Sequence, residues 1–220
     1  KKTDNTILNY TTFPNNNLCL AIYKQNEINY INHQKTNNCI ITLGNKNFIS
    51  KLYGFHKMPF QVDINSCLDQ VCIIFYPSAL RKFTNESYAD LMTSDAVFDI
   101  IFPKKNSSFL EQIFEEDSFE KRSKILESIL LKNINSKNEI SYKLEEALSF
   151  ISKNNNENLS IESLAENLKI SNSSLFRLFK NNLGQNPKSH INTLRFRTIL
   201  DSIMNGKELE YEKDYLNQYY

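Results

Sequence analysis

The chain has no tryptophan, and only four glycines and five prolines are spread over its 220 residues. That scarcity excludes collagen-like, linker-dominated and low-complexity architectures, all of which need glycine or proline in bulk. The four cysteines, Cys19, Cys39, Cys67 and Cys72, are too few for a disulfide scaffold and show no C-x-x-C spacing. A chain of this length folds without bridges, so they read as reduced, mostly buried thiols of a cytoplasmic protein. None of the three histidines, His33, His56 and His190, pairs with a cysteine at metal-ligand spacing, and neither metal nor cofactor is expected. No run of about 18 apolar residues occurs, and the opening KKTDNTILNY lacks the apolar segment of a signal peptide, so no membrane partner is expected. No Ser/His/Asp set, Cys/His dyad, close carboxylate pair or phosphate-binding glycine loop can be assembled. No catalytic residue is assigned, and an enzyme is not the expected class.

What is present is the composition of a globular chain, 40% hydrophobic and 23% charged with a net charge of +1. The length has room for about two domains. Between Leu18 and Tyr76 the apolar residues fall in short runs, LCLAIY, CIITL, FISKLYGF, PFQVDI and QVCIIFY, separated by Asn, Gly, Asp or Pro. Such runs predict strands of an antiparallel barrel or sandwich. Val71 to Phe75 is apolar on both faces and reads as a central strand, while Phe60, Val62 and Ile64 alternate and read as half-wet. Tyr23, Tyr30, Phe48, Tyr53, Phe55, His56 and Phe60 are spread among these strands. They either line a pocket inside the barrel, with Tyr23, Tyr53, Phe55, His56 and Phe60 as its candidate walls, or simply fill the core.

From Ser78 the pattern turns helical, with helices expected at about 78–83, 87–92, 107–114 and 118–133. The polar stretch LKNINSKNEI marks a domain boundary near 133–140, giving domains of residues 1–135 and 139–220. An amphipathic helix at 142–151 is expected to pack on the helices C-terminal to it, across the link NNNEN.

Residues Leu159 to Arg197 are the most informative stretch. Ser160 can cap one helix and Ser171 the next, with only Lys169 and Ile170 between the first apolar stripe and the second cap. The connection is therefore sharp. Leu175, Leu178 and Phe179 form the buried stripe of the second helix, Gly184 stops it, and Pro187 opens a longer helix that runs to about Asn205. From Lys169 to Leu200 there are six basic residues, Lys169, Arg177, Lys180, Lys188, Arg195 and Arg197, and no acidic one. Two helices joined steeply with a local basic face describe a helix-turn-helix, whose second helix lies in the DNA major groove. An ordinary helical hairpin with a solvated basic face would show the same spacing.

The segment A-E-N-L-K-I-S-N-S-S-L-F-R-L-F-K-N-N-L-G-Q-N-P-K-S-H-I-N-T-L-R resembles the first helix-turn-helix of AraC/XylS-type bacterial transcription regulators. The match runs through Ala165, Ser171, Leu175, Arg177, Phe179, Lys180, Gly184, Pro187 and Arg195 in order and spacing. The resemblance implies a regulator of double-stranded promoter DNA. On it, Ser173, Phe176 and Arg177 fall at base-contacting positions, and Ser171, Ser174, Lys180, Lys188, Arg195 and Arg197 complete the DNA-binding set, the basic members on phosphates. Lys169 stands where the family usually has a turn glycine, and Phe176 where a polar base reader is common. F-Y-P-S-A-L-R-K-F-T-N and the helical tail behind it resemble the N-terminal sensor domain of one branch of the same regulators, over about 51–131. That implies a cupin-like half-barrel with a helical subdomain for dimerisation or effector sensing.

The expected fold is therefore α+β, an antiparallel half-barrel with helices followed by an all-α helix-turn-helix domain. The expected partners are promoter DNA, a second copy of the chain, a small-molecule effector and RNA polymerase. Two other readings stay open: a cupin-like small-molecule-binding protein or enzyme with a helical interaction tail, and an adaptor whose basic helix meets an acidic protein. In the family a second helix-turn-helix begins near Asn205, so the sequence implies a protein longer than these 220 residues. Asp201 to Asp214 carries five acidic and two basic side chains and would bind DNA poorly.

Overall fold

The computed structural model describes residues 1–4, 6–32, 37–54, 56–76, 78–102, 108–134, 140–154 and 159–206. The expected boundary at 135–139, the link at 155–158, the acidic end from 207 and the candidate wall residue Phe55 lie outside them.

Five strands form one sheet, β1 (Leu8–Thr12), β2 (Leu18–Asn32), β3 (Asn37–Tyr53), β4 (Phe60–Ile64) and β5 (Asp69–Phe75), in the order β1-β4-β3-β2-β5. The runs CIITL and FISKLY belong to one 17-residue strand, and β1 carries too little apolar signal to have been expected. The sheet is a half-barrel because the β2–β3 hairpin folds over on itself. Its register slips between Lys24 and Asn26, and Gln25 takes a left-handed φ of 56°. Opposite the slip, a Cβ on Gly44 would lie 2.7 Å from the Asn26 carbonyl carbon, so only glycine lets the strands approach there.

Two expectations for the sheet are corrected. It is not wholly antiparallel, because β4 pairs with the first residues of β3 in parallel, Asn37 with Phe60 through Ile41 with Ile64. Parallel neighbours normally need a crossover of about a dozen residues, but β3 curls far enough that a short connection returns the chain to its start. Nor is β5 central; it is an edge strand paired with β2. Its two apolar faces have a different cause, since Ile73 and Phe75 pack on helices while Cys72 and Ile74 face the barrel interior.

The period of two along β2 divides the N-terminal core into two parts. Leu18, Leu20 and Ile22 join the helices, whereas Ala21 and Tyr23 face the inside of the curl with Cys39, Ile41, Val62 and Ile64. The helical part comprises a 3₁₀ turn (Ala79–Lys82), α1 (Tyr88–Thr93), α2 (Val97–Ile101), α3 (Ser108–Glu115) and α4 (Phe119–Asn133). Ser87 and Ser118 cap α1 and α4 as their positions suggested, by accepting the amide hydrogens of Asp90 and Lys121. The five-residue α2 is too short to show a period; it is seated by Ser50, whose hydroxyl accepts from the Phe98 amide at 2.8 Å. The Arg122 guanidinium forks onto Asp69 at 2.6 and 3.0 Å, pinning α4 to the start of β5.

A second core gathers α5 (Tyr142–Lys153), α6 (Ile161–Asn167), α7 (Asn172–Leu183) and α8 (Pro187–Met204) around Leu144, Ala147, Ile151, Leu164, Leu168, Leu175, Phe179 and Leu183. No helix among the described residues is long and apolar enough to cross a membrane.

Candidate functional site

Two regions gather the residues that the sequence singled out. The first is the exposed face of α7. Ser160 caps α6 by accepting the Ser163 amide at 3.0 Å, and Ser171 caps α7 by accepting the Ser174 amide at 3.2 Å. Between the caps, the Lys169 amide bonds the Glu166 carbonyl and the Ile170 amide bonds the Ala165 carbonyl, both at 3.0 Å. This pair of bonds is a Schellman closure with Lys169 at its left-handed position, φ 54°. The left-handed position is thus held by a lysine, in a conformation costly for a side chain.

The turn aims α7 so that Leu175, Phe179 and Leu183 are buried and Ser173, Phe176, Arg177 and Lys180 share the exposed face at helical spacing. Phe176 is 49% exposed, unusual for a ring with a core beside it. The remaining candidates differ in freedom. Ser171 and Ser174 are engaged with each other at 3.0 Å in the cap. Lys180 donates to the Gly184 carbonyl at 3.1 Å from an exposed position, and Lys188 is exposed in the first turn of α8. Arg195 and Arg197 are half-buried, the first donating to the Leu159 carbonyl at 3.3 Å and the second paired with Asp201 at 3.7 Å. Those two are held by the fold more than the sequence suggested.

The far end of α7 is held by the N-terminal part of the chain. Arg81 donates to the Asn181 carbonyl at 3.0 Å and Tyr88 to the Asn182 carbonyl at 2.7 Å. The guanidinium lies 4.0 Å from the Tyr88 ring centre, so a cation sits at the negative end of the helix. Burial pushes the Tyr88 hydroxyl up to about 12, which keeps it a donor. Asn16, in the β1–β2 loop, is buried against α8, with its amide donating to the His190 carbonyl and its carbonyl accepting from Gln185, both at 3.0 Å. Gln185 also donates to His190 Nδ1 at 2.8 Å, and burial pulls that imidazole down to about 4, so it is neutral. Phe13 meets Phe196 at 6.1 Å across the same junction.

The second region is a cavity of about 580 Å³ inside the curl of the sheet. Tyr23, Tyr53, His56 and Phe60 all line it, and the Tyr23 and Tyr53 hydroxyls bond each other at 2.9 Å. Burial drives both hydroxyls far above the usual phenol range. Tyr30 stacks between Tyr53 and Phe60 at 5.8 and 5.6 Å and is a wall residue that the candidate set omitted. Phe48, on the other face of β3, packs on Phe114 at 5.4 Å and belongs to the helical core. Burial lowers the His56 pKa, and its Nε2 is buried with no partner among the described residues. Phe13, Asn15 and Asn17 of the β1–β2 loop also line the cavity. The expectation of mostly buried thiols is corrected: Cys39 is buried, Cys19 half-buried, and Cys67 and Cys72 exposed. Cys19, Cys39 and Cys72 open on the cavity, where strand alternation rather than apolarity places them. Among the described residues no group of metal-ligating side chains comes together.

No protein-family model matches the chain, and no curated protein matches it either. Among solved structures, an AraC-like transcriptional activator, CuxR, is similar over 89% of this chain and 73% of its own, at 14% identity and a TM-score of 0.29.

Proposed function

We propose that the chain is a sequence-specific DNA-binding transcription regulator in which α6 and α7 act as a helix-turn-helix and α7 enters the major groove. The observation that carries this reading is the outward face of α7, where Ser173, Phe176, Arg177 and Lys180 stand together beyond a sharp Schellman turn. No acidic residue dilutes the six cations from Lys169 to Leu200. Arg177 is the base reader, its guanidinium forking onto guanine O6 and N7, and the exposed Phe176 ring meets a thymine methyl group. Lys180 and Lys188 contact phosphates and set the register of the helix; Ser171 and Ser174 support that geometry through the cap.

Binding to a randomised duplex library tests the reading. A selected consensus, with affinity that falls linearly on a log scale as salt rises, is the expected result. Affinity without sequence preference would leave a basic helical hairpin, and salt-insensitive binding would leave neither.

The cavity favours a companion role as a small-molecule site. Its aromatic walls exclude water from an apolar guest, and the unpartnered His56 Nε2 supplies one polar anchor for it. The half-barrel is then a sensor, and the exposed Phe119 and Leu131 of α4 offer apolar surface to a second copy.

A further inference from the structure

The cavity wall carries two thiols on adjacent strands. In the antiparallel pairing of β2 with β5, Cys19 lies opposite Ile74 and Cys72 opposite Ala21, so the two cysteines are diagonal neighbours on the cavity face. Both side chains open on the cavity from neighbouring positions of the β2–β5 ladder. Cys72 is exposed while Cys19 is half-buried behind it, an arrangement in which one sulfur meets the solvent and the other stands ready to resolve it.

We propose that Cys72 and Cys19 form a peroxide-responsive dithiol, with Cys72 as the attacking sulfur and Cys19 as the resolving one. Cys72 is the more accessible sulfur, and the neighbouring Cys19 thiol holds it below the ordinary thiol range while Cys19 is held above it. In the first step the Cys72 thiolate attacks one oxygen of hydrogen peroxide; the O–O bond breaks, hydroxide leaves and takes up a proton as water, and Cys72 becomes a sulfenic acid. In the second the Cys19 sulfur attacks the Cys72 sulfur, its proton leaves with the expelled hydroxyl as water, and a disulfide forms. Two thiols and one peroxide give one disulfide and two waters, and an external dithiol reverses the change. Cys39 lines the same cavity, but it is buried on β3, which does not pair with β5, so it has no cross-strand position next to Cys72.

Diagonal neighbours in a sheet lie about 7–8 Å apart at Cα, slightly beyond the disulfide span of about 4.4–6.8 Å. Closing the bond therefore draws β5 along β2. As an edge strand, β5 adjusts against β2 alone, between the Arg122–Asp69 pin at its start and Phe75 in the helical core at its end. Oxidation is thereby written into the shape of the cavity wall, whatever the rest of the chain binds.

The test uses the full reduced chain, titrated with hydrogen peroxide at neutral pH and followed by alkylation and intact mass. The expected product is lighter by about 2 Da, has two fewer alkylatable thiols, gives a linked Cys19–Cys72 peptide and is restored by dithiothreitol. Cys19→Ser should stop at the sulfenic acid, heavier by about 16 Da and trapped by dimedone at Cys72. Cys39→Ser should behave as the parent. Retention of all four thiols in the parent at peroxide doses that oxidise cysteine in solution would overturn the proposal. So would a link from Cys72 to Cys39 or Cys67, or dimedone labelling of Cys39 ahead of Cys72.

Discussion

Replacing Lys169 by glycine should stabilise the α5–α8 unit. At φ 54° the lysine Cβ crowds its own backbone, a cost of about 1–2 kcal/mol for an L-residue. Glycine removes that cost but gains freedom in the unfolded chain worth about 0.4–1 kcal/mol, leaving a net gain of about 0.5–1 kcal/mol. The Lys169 side chain is exposed, so no packing is lost with it. A β-branched residue would be strained further, and asparagine, which tolerates the left-handed region, falls between glycine and lysine. Urea unfolding monitored by circular dichroism should rank Lys169→Gly above Lys169→Asn, then the parent, then Lys169→Val, with an unchanged slope. For a chain of this size 1 kcal/mol corresponds to about 2–4 °C in Tm. If Lys169→Gly were no more stable than the parent while Lys169→Val matched it, the turn would not hold its left-handed residue, and the aim of α7 would rest on something else.

Arg177→Ala should cost about 1–3 kcal/mol on the selected site and relax discrimination at one position, whereas Lys188→Ala should weaken all sequences alike and flatten the salt slope by about one; fluorescence anisotropy at matched salt separates the two. His190 contributes stability that is complete above its unfolded pKa of 6.5 and is lost as pH falls towards its folded value of about 4, because the unfolded chain takes up a proton that the buried ring refuses. The loss approaches about 3 kcal/mol, and His190→Phe should flatten the pH dependence of stability in that window; an unchanged slope would mean the ring is not buried. A fragment ending at Asn133 should unfold cooperatively, since residues through Ile129 complete the N-terminal core, and its sedimentation reports whether the α4 face joins a second copy.

The helical half was legible because its signals are local. Ser160, Ser171, Gly184 and Pro187 each act within a turn of their own position, and their consequences are readable from spacing alone. The sheet was legible only in its runs. Whether β4 meets β3 in parallel depends on a bend at Gln25 and Gly44 that no strand period encodes, and the apolar faces of β5 look the same whether covered by strands or by helices and a cavity. Of the residues on the cavity wall, Tyr23, Tyr53, His56 and Phe60 were singled out from their chemistry, but Tyr30 and the three thiols share their wall only through cross-strand register. Partnership with distant groups was hidden in the same way: nothing near Asn16 or Arg81 in the sequence points to α7 or α8.

If the cavity takes a guest and the helical unit a partner, as proposed above, the β1–β2 loop makes the two events answerable to one another. Phe13, Asn15 and Asn17 form part of the cavity wall, while Asn16 between them is buried on Gln185 and His190. A guest that reshapes the loop must either keep or break the two amide bonds of Asn16, each worth about 0.5–1.5 kcal/mol. Thermodynamic reciprocity then applies: by whatever factor a guest alters the affinity of the helical unit for its own partner, that partner alters the affinity for the guest by the same factor. Two such bonds set the scale of the exchange at about 1–3 kcal/mol, or roughly 5- to 150-fold in either direction.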